Sequence, residues 1–245
     1  MICLIIVDAL RYDCLPFLPK WLHVYKCRAL ANNTEPSITT ILTGLTPEEH
    51  GVMHTGDFGN DEKLRRVLKP IPNSFIASPA VIFHPFFTYS TTAKYSEEVF
   101  AEAKKYMDFN QVDFMLLHLM DVHDYRDINY GMRYYEGFEE MSDEAVNWKI
   151  PSGLPRTQEM LIQTTRDAGL LKAKYKGAVV RTFEQIIEFC SSIPHYKIII
   201  TADHGEDLTY FAHDGLDVYD VPLITNFRLE EKTYTHLDVA KLWKE

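Results

Sequence analysis

The chain is poor in the features that would place it in several large protein classes. Cysteine is scarce: Cys3, Cys14, Cys27 and Cys190 are the four in 245 residues, with no CxxC pair and no zinc-ribbon spacing. A disulfide framework is therefore not expected, and the thiols read as those of a reducing compartment. Positive charge is in deficit, with 25 Lys and Arg against 35 Asp and Glu. A net charge of −10 argues against a partner such as a nucleic-acid duplex, which needs a basic footprint. No apolar run approaches the ~20 residues of a membrane span. The first such run, Ile2 to Val7, stops at Asp8 and lacks the length of a secretory signal's apolar core. These absences together give the expectation of a cytoplasmic protein without a membrane span. There is also no repeat, low-complexity tract or linker, so residues 1–245 are read as one domain.

What is present is a set of short, strongly apolar strands. Ile2–Val7, Asp113–Leu119 and Lys197–Thr201 are continuous apolar runs of the kind buried on both faces of a parallel sheet. Further strands are expected at Lys26–Ala31, within Ser74–Phe83 (interrupted by Pro79) and at Asp220–Ile224. Helices are expected at Leu15–Tyr25 (broken by Pro16 and Pro19), Ser37–Leu42, Ser96–Tyr106, Leu170–Cys190 and Val239–Trp243. Alternation of this sort predicts an α/β fold, a three-layer α/β/α sandwich around a mainly parallel central sheet. Residues 124–157 are aromatic and acidic with no clean period and are expected to be an inserted lid, with Tyr125, Tyr130, Tyr134 and Tyr135 over an apolar leaving group.

Two of the apolar strands end in ligand-type residues. The first runs into Asp8, and the strand Lys197–Thr201 runs into Ala202-Asp203-His204-Gly205-Glu206. Open α/β folds place their chemistry at that carboxyl edge. Thr34 precedes a short helix whose free N–H groups could hold an anion. A hydroxyl there can be activated by a divalent cation and attack phosphorus or sulfur. Asp8, Thr34, Asp203 and His204 form the expected metal site. Carboxylate with imidazole favours zinc or manganese, with calcium or magnesium less favoured.

These residues also carry a resemblance. Thr34-Glu35-Pro36-Ser37-Ile38-Thr39-Thr40-Ile41-Leu42-Thr43-Gly44 resembles the sulfatase signature, with Thr34 at the Cys or Ser position and Pro36, Ser37, Thr43 and Gly44 in register. Val7 to Asp13 and Thr46 to Val52 resemble segments of the alkaline phosphatase superfamily. Met120-Asp121-Val122-His123-Asp124-Tyr125 is similar to the Asp-Pro-His-x-Pro-Tyr stretch of sulfatase-like members, and Asp203-His204-Gly205-Glu206 to their metal motif. The resemblance implies an alkaline-phosphatase-like fold and hydrolysis of phosphoric mono- or diesters or phosphonates through a covalent phospho-Thr34. It implies that His123 and His213 contact the transferred group or the leaving oxygen. Asp121, His123 and His213 are the candidates for a second metal, although Tyr125 stands where the two-metal relatives have a histidine. Threonine cannot be oxidised to the formylglycine of the main sulfatases, and Ile38 replaces their signature Arg, so a small phosphorylated substrate is favoured over a sulfated one. The alternatives are a non-catalytic ligand-binding protein, a phosphotransferase or a sulfuric ester hydrolase on the same site; a homo-oligomer is left open. His118, inside an apolar run, is read as a core histidine, His50 and His54 as loop residues, and His84 as packing.

Overall fold

A computed structural model describes residues 1–125, 156–208 and 216–244. Along the chain these form β1 (Ile2–Val7), β2 (His23–Arg28), α1 (Thr34–Thr43), α2 (Pro47–His50), α3 (Asn60–Val67), β3 (Ile71–Ala77) and β4 (Phe87–Thr91). There follow α4 (Ser96–Met107), β5 (Phe114–Leu119), α5 (Arg156–Ser192), β6 (Lys197–Thr201), β7 (Asp220–Thr225), β8 (Tyr234–Thr235) and α6 (His236–Lys244). The strands make one eight-stranded sheet in the order β4-β3-β5-β1-β6-β7-β2-β8. β1 pairs in parallel with β5 and β6, and β3 in parallel with β4 and β5. Only β7 among the described strands runs against the rest, antiparallel to both β6 and β2.

The central position of β1 follows from its composition. Cys3 to Val7 are fully buried, which requires cover on both faces because successive side chains alternate. That cover can be read from the register. Cys3 lies close enough to Cys190 of α5 for the two thiols to interact. Phe114, which pairs with Ile2 and so points the other way, packs on Trp243 of α6 with ring centroids 4.5 Å apart and the planes tilted. The two helices thus lie on opposite faces of the sheet. α1 shares its face with α6, where Trp243 Nε1 donates to the Ile41 carbonyl at 2.8 Å. α4 packs on α5 through stacked Phe100 and Phe189, 4.4 Å apart. The expected three-layer α/β/α sandwich with a mainly parallel sheet is what the chain forms.

Several local expectations are corrected. Leu15–Tyr25 holds no helix; Pro16 and Pro19 keep it in an open loop, and β2 starts directly at His23. Beyond Ala77, Pro79 ends β3, and Val81–Phe86 winds into a 3-10 turn containing Pro85 before β4. α1 starts at Thr34, three residues before the expected Ser37, because Pro36 fits the first turn, where a missing N–H costs nothing. Tyr125, expected in a lid, is fully buried, with its hydroxyl donating to Glu206 Oε1 at 3.2 Å and its ring edge-on to Tyr175. The remaining lid residues, Tyr130, Tyr134 and Tyr135 among them, fall outside the described residues.

The turn after β1 is strained and braced. Ala9 has φ +61°, in the left-handed region that favours glycine. Tyr175 of α5 clamps it by donating to the Ala9 carbonyl at 2.7 Å and accepting the Arg11 N–H at 2.9 Å. Removing that hydroxyl leaves two backbone groups without their partner. Tyr175→Phe is therefore expected to lower unfolding free energy by about 1–3 kcal/mol, read from urea denaturation.

Candidate metal centre and nucleophile

Three strand ends and one helix start converge at the carboxyl edge of the sheet. Asp8 follows β1, His118 is the next-to-last residue of β5, Asp203 and His204 follow β6, and Thr34 opens α1. The adjacency of β5, β1 and β6 brings these sequence-distant groups together. Asp8, Asp203 and His204 are buried, and one ligand atom from each lies within 4.8 Å of the others. His204 Nε2 is 3.7 Å from Asp8 Oδ1 and 3.4 Å from Asp203 Oδ2. Thr34 Oγ1 donates to Asp8 Oδ2 at 3.2 Å.

The donor set fits a divalent cation. Asp203 Oδ1 accepts the Ala9 and His204 N–H groups at 3.2 and 2.8 Å, which fixes the carboxylate. Its Oδ2, and Asp8 Oδ1, are buried oxygens with no hydrogen-bond donor. Such atoms are costly unless a positive charge satisfies them. His204 Nδ1 faces the Gly205 carbonyl at 2.9 Å, so that nitrogen carries a hydrogen and Nε2 is the one turned toward Asp8 and Asp203. His236 donates from Nε2 to the Ala202 carbonyl at 2.9 Å and steadies the same loop from below.

The electrostatics match a site short of positive charge. Burial pushes Asp203 above the usual carboxylate range, and the neighbouring charge of Asp8 adds to the rise. Burial acts on Asp8 in the same direction, but the hydrogen bond from His118 and the charges of His204, His118 and His123 outweigh it and hold this carboxyl well below its ordinary value. His204 is lowered by burial, yet raised overall by Asp203 and Asp8. Two carboxylates and a histidine thus compete for a proton that a cation would displace.

The remaining expected residues are placed as follows. His123 is near enough to feel Asp8 and Asp203. Its Nδ1 lies 2.9 Å from Asp124 Oδ1, and this bond, ahead of those charges, raises it to about 9. Asp124 is itself held by Tyr95 Oη at 2.8 Å and Lys94 Nζ at 3.2 Å. Asp121 faces α4, where its Oδ2 accepts the Ser96 N–H at 2.8 Å and its Oδ1 the Ser96 hydroxyl at 2.7 Å. His213 falls outside the described residues. The expected anion-binding helix start is reduced: the Glu35 N–H goes to Thr55 Oγ1 at 3.1 Å, Pro36 has none and Ser37 N–H returns to Asn33 O at 3.2 Å.

His50 bridges Thr40 Oγ1 and the Val52 N–H, each at 3.1 Å. His84 Nε2 reaches the Ser78 carbonyl at 2.8 Å. The sequence reading missed His118. It is buried as a core residue would be, but its Nε2 lies 3.0 Å from Asp8 Oδ2. The available signal was a single imidazole in an otherwise apolar strand near its carboxyl end.

No protein-family model matches this sequence, and no curated protein matches it. Solved structures do. The C-terminal periplasmic domain of EcEptC from Escherichia coli, in complex with Zn, aligns with 99% of this chain and 80% of its own at TM-score 0.60 and 14% identity. The C-terminal periplasmic domain of the phosphoethanolamine transferase EptC from Campylobacter jejuni aligns over 99% and 87% at TM-score 0.59 and 11% identity. A 2-O GAG sulfatase aligns over 98% and 70% at TM-score 0.61 and 10% identity. The chain shares its fold with these phosphoethanolamine transferase and sulfatase domains. The expectation of a cytoplasmic chain is overturned by the same comparisons, because two of these three are periplasmic domains. A low cysteine count and a short first apolar run carry no information about such a location. Among the described residues, no helix is long and apolar enough to cross a membrane.

Proposed function

We propose that this chain is a divalent-metal-dependent enzyme that transfers a phosphoryl-type group from an ester to water, with Thr34 as the nucleophile. One observation carries the reading. Thr34 Oγ1 hydrogen-bonds Asp8 Oδ2, while Asp8 Oδ1 and Asp203 Oδ2 face His204 Nε2 with no hydrogen-bond donor. A cation there would be held by Asp8, Asp203 and His204, with the Thr34 hydroxyl beside it. When bound it supplies positive charge that favours the threonine alkoxide and offsets charge developing on the transferred group. The zinc complex of the EcEptC domain supports zinc as the first metal to test.

The protein's own residues set the rest. The 3.2 Å bond to Asp8 Oδ2 orients the Thr34 hydroxyl, which loses its proton to solvent as Oγ1 attacks phosphorus and the ester oxygen departs. His123, kept protonated by Asp124, donates a proton to that departing oxygen. Water then attacks phospho-Thr34, giving a proton to the His123 left neutral by the first step, and the Thr34 oxygen takes a proton from solvent as the phosphate product leaves. Transfer to an alcohol is the second reading, favoured by the phosphoethanolamine transferase among the similar structures. Incubation with an aryl phosphate diester, zinc and a competing alcohol separates the two by the ratio of inorganic to alcohol-borne product. Absence of turnover across aryl mono-, di- and phosphonate esters with zinc and with manganese would overturn both.

The role of His123 has a pH signature. Activity needs its protonated form, so kcat/KM falls as pH rises through its pKa, which the Asp124 bond raises to about 9. A bound cation offsets the charges of Asp8 and Asp203, and so brings that value down from this figure. Asp124→Asn removes the largest raising cause and is expected to move the alkaline limb to lower pH. An unmoved limb would remove His123 from the proton transfer.

A further inference from the structure

We propose that His118 is a positioning residue of this centre, selecting which oxygen of Asp8 faces the cation. This rests on the metal-centre reading above. β5 lies beside β1 with His118 opposite Ile6, so the imidazole and the Asp8 carboxylate project on the same face one step apart. Both side chains are buried. Asp8 Oδ2 lies 3.0 Å from His118 Nε2 and 3.2 Å from Thr34 Oγ1, whereas Oδ1 has no donor. A carboxylate can turn about its Cβ–Cγ bond and exchange its oxygens. The imidazole opposes that turn by holding Oδ2 on the protein side.

The proton on His118 is fixed from behind. Ser78 Oγ accepts the Ala80 N–H at 3.1 Å and lies 3.0 Å from His118 Nδ1. With an N–H already arriving at its oxygen, the Ser78 hydroxyl directs its own hydrogen to Nδ1. Nε2 then carries the ring hydrogen and donates it to Asp8. Serine, histidine and aspartate in this order look like a hydrolytic relay, but Ser78 and His118 are each 0% exposed, so no substrate reaches the hydroxyl. The chain serves the carboxylate instead.

Glutamine and asparagine separate the two roles. The glutamine side-chain amide reaches about where Nε2 stands and keeps a donor toward Asp8; that of asparagine reaches only the Nδ1 position. Zinc affinity is measured by chelator competition on the intact chain, with the melting temperature of the metal-free protein reporting folding. His118→Gln is expected to bind zinc within a few-fold of wild type, and His118→Asn to bind about 10- to 100-fold more weakly. Ser78→Ala, which leaves the imidazole in place, is expected to weaken zinc several-fold and serves if His118→Asn does not fold. Folded variants that all bind zinc as wild type does would overturn the proposal, as would equal weakening by glutamine and asparagine. A wild type that binds neither zinc nor manganese would overturn the metal-centre reading itself and the proposal with it.

Discussion

Thr34→Ala is expected to lower ester turnover by about three to six orders of magnitude, the loss that follows removal of a covalent nucleophile. The reason is local. Among the described residues, Thr34 Oγ1 is the hydroxyl bonded to Asp8, and the metal-facing atoms lie around that same carboxylate. Alanine is well tolerated at the first position of a helix, and the first turn remains closed by the Ser37 N–H on Asn33 O. Zinc binding and melting temperature should therefore change little beside the loss of rate. Thr34→Ser keeps the hydroxyl and should retain measurable turnover. Acid-quenched wild-type reactions should yield a peptide containing Thr34 with the added mass of a phosphoryl group, absent from the alanine variant. Undiminished turnover by Thr34→Ala would remove the nucleophile assignment.

The second large effect is a crossing of stabilities at Asp203. Its folded-state pKa is raised, first by burial and then by Asp8. A raised carboxyl costs stability as pH rises from the unfolded value through the folded one, so the metal-free protein is penalised at neutral pH. Asp203→Asn removes that charge while still offering an oxygen to the Ala9 and His204 N–H groups, and should melt higher than wild type when both are stripped of metal. With zinc present the order should reverse. Wild type gains about 4 kcal/mol at a thousand-fold excess over Kd, and the variant, having lost a carboxylate ligand, gains far less. Calorimetry with chelator and with zinc reads both arms. A variant that melts lower than wild type in chelator, or one that gains as much from zinc, would contradict a site built around an unsatisfied pair of carboxylates.

Much of the architecture was legible because it rests on strongly buried strands. The runs at Ile2, Asp113 and Lys197 are apolar on both faces, and such runs have few places to go except the centre of a covered sheet. The weaker elements were not legible. β4 and β8 are short and partly exposed, α2 and α3 are mostly polar at their surfaces, and Pro16 and Pro19 overrode the helical spacing expected after Cys14. Tyr125 illustrates the same limit at the level of one side chain. Its aromatic, acidic neighbourhood suggested an exposed lid, whereas contact with Tyr175 and Glu206 buries it beneath the turn that holds Asp8.

Residue type and order alone determined that Asp8, Thr34, Asp203 and His204 belong together, because carboxylate, hydroxyl and imidazole at the ends of buried strands and the start of a helix suit few other purposes. Strand order is a different kind of fact. Only the placement of β1 between β5 and β6 put His118 against Asp8 Oδ2, and left Asp8 Oδ1 and Asp203 Oδ2 without a donor. It likewise directed Asp121 to Ser96. Hydrogen-bond allocation among buried groups depends on distances of about 3 Å between residues far apart in sequence, and no spacing along the chain encodes those.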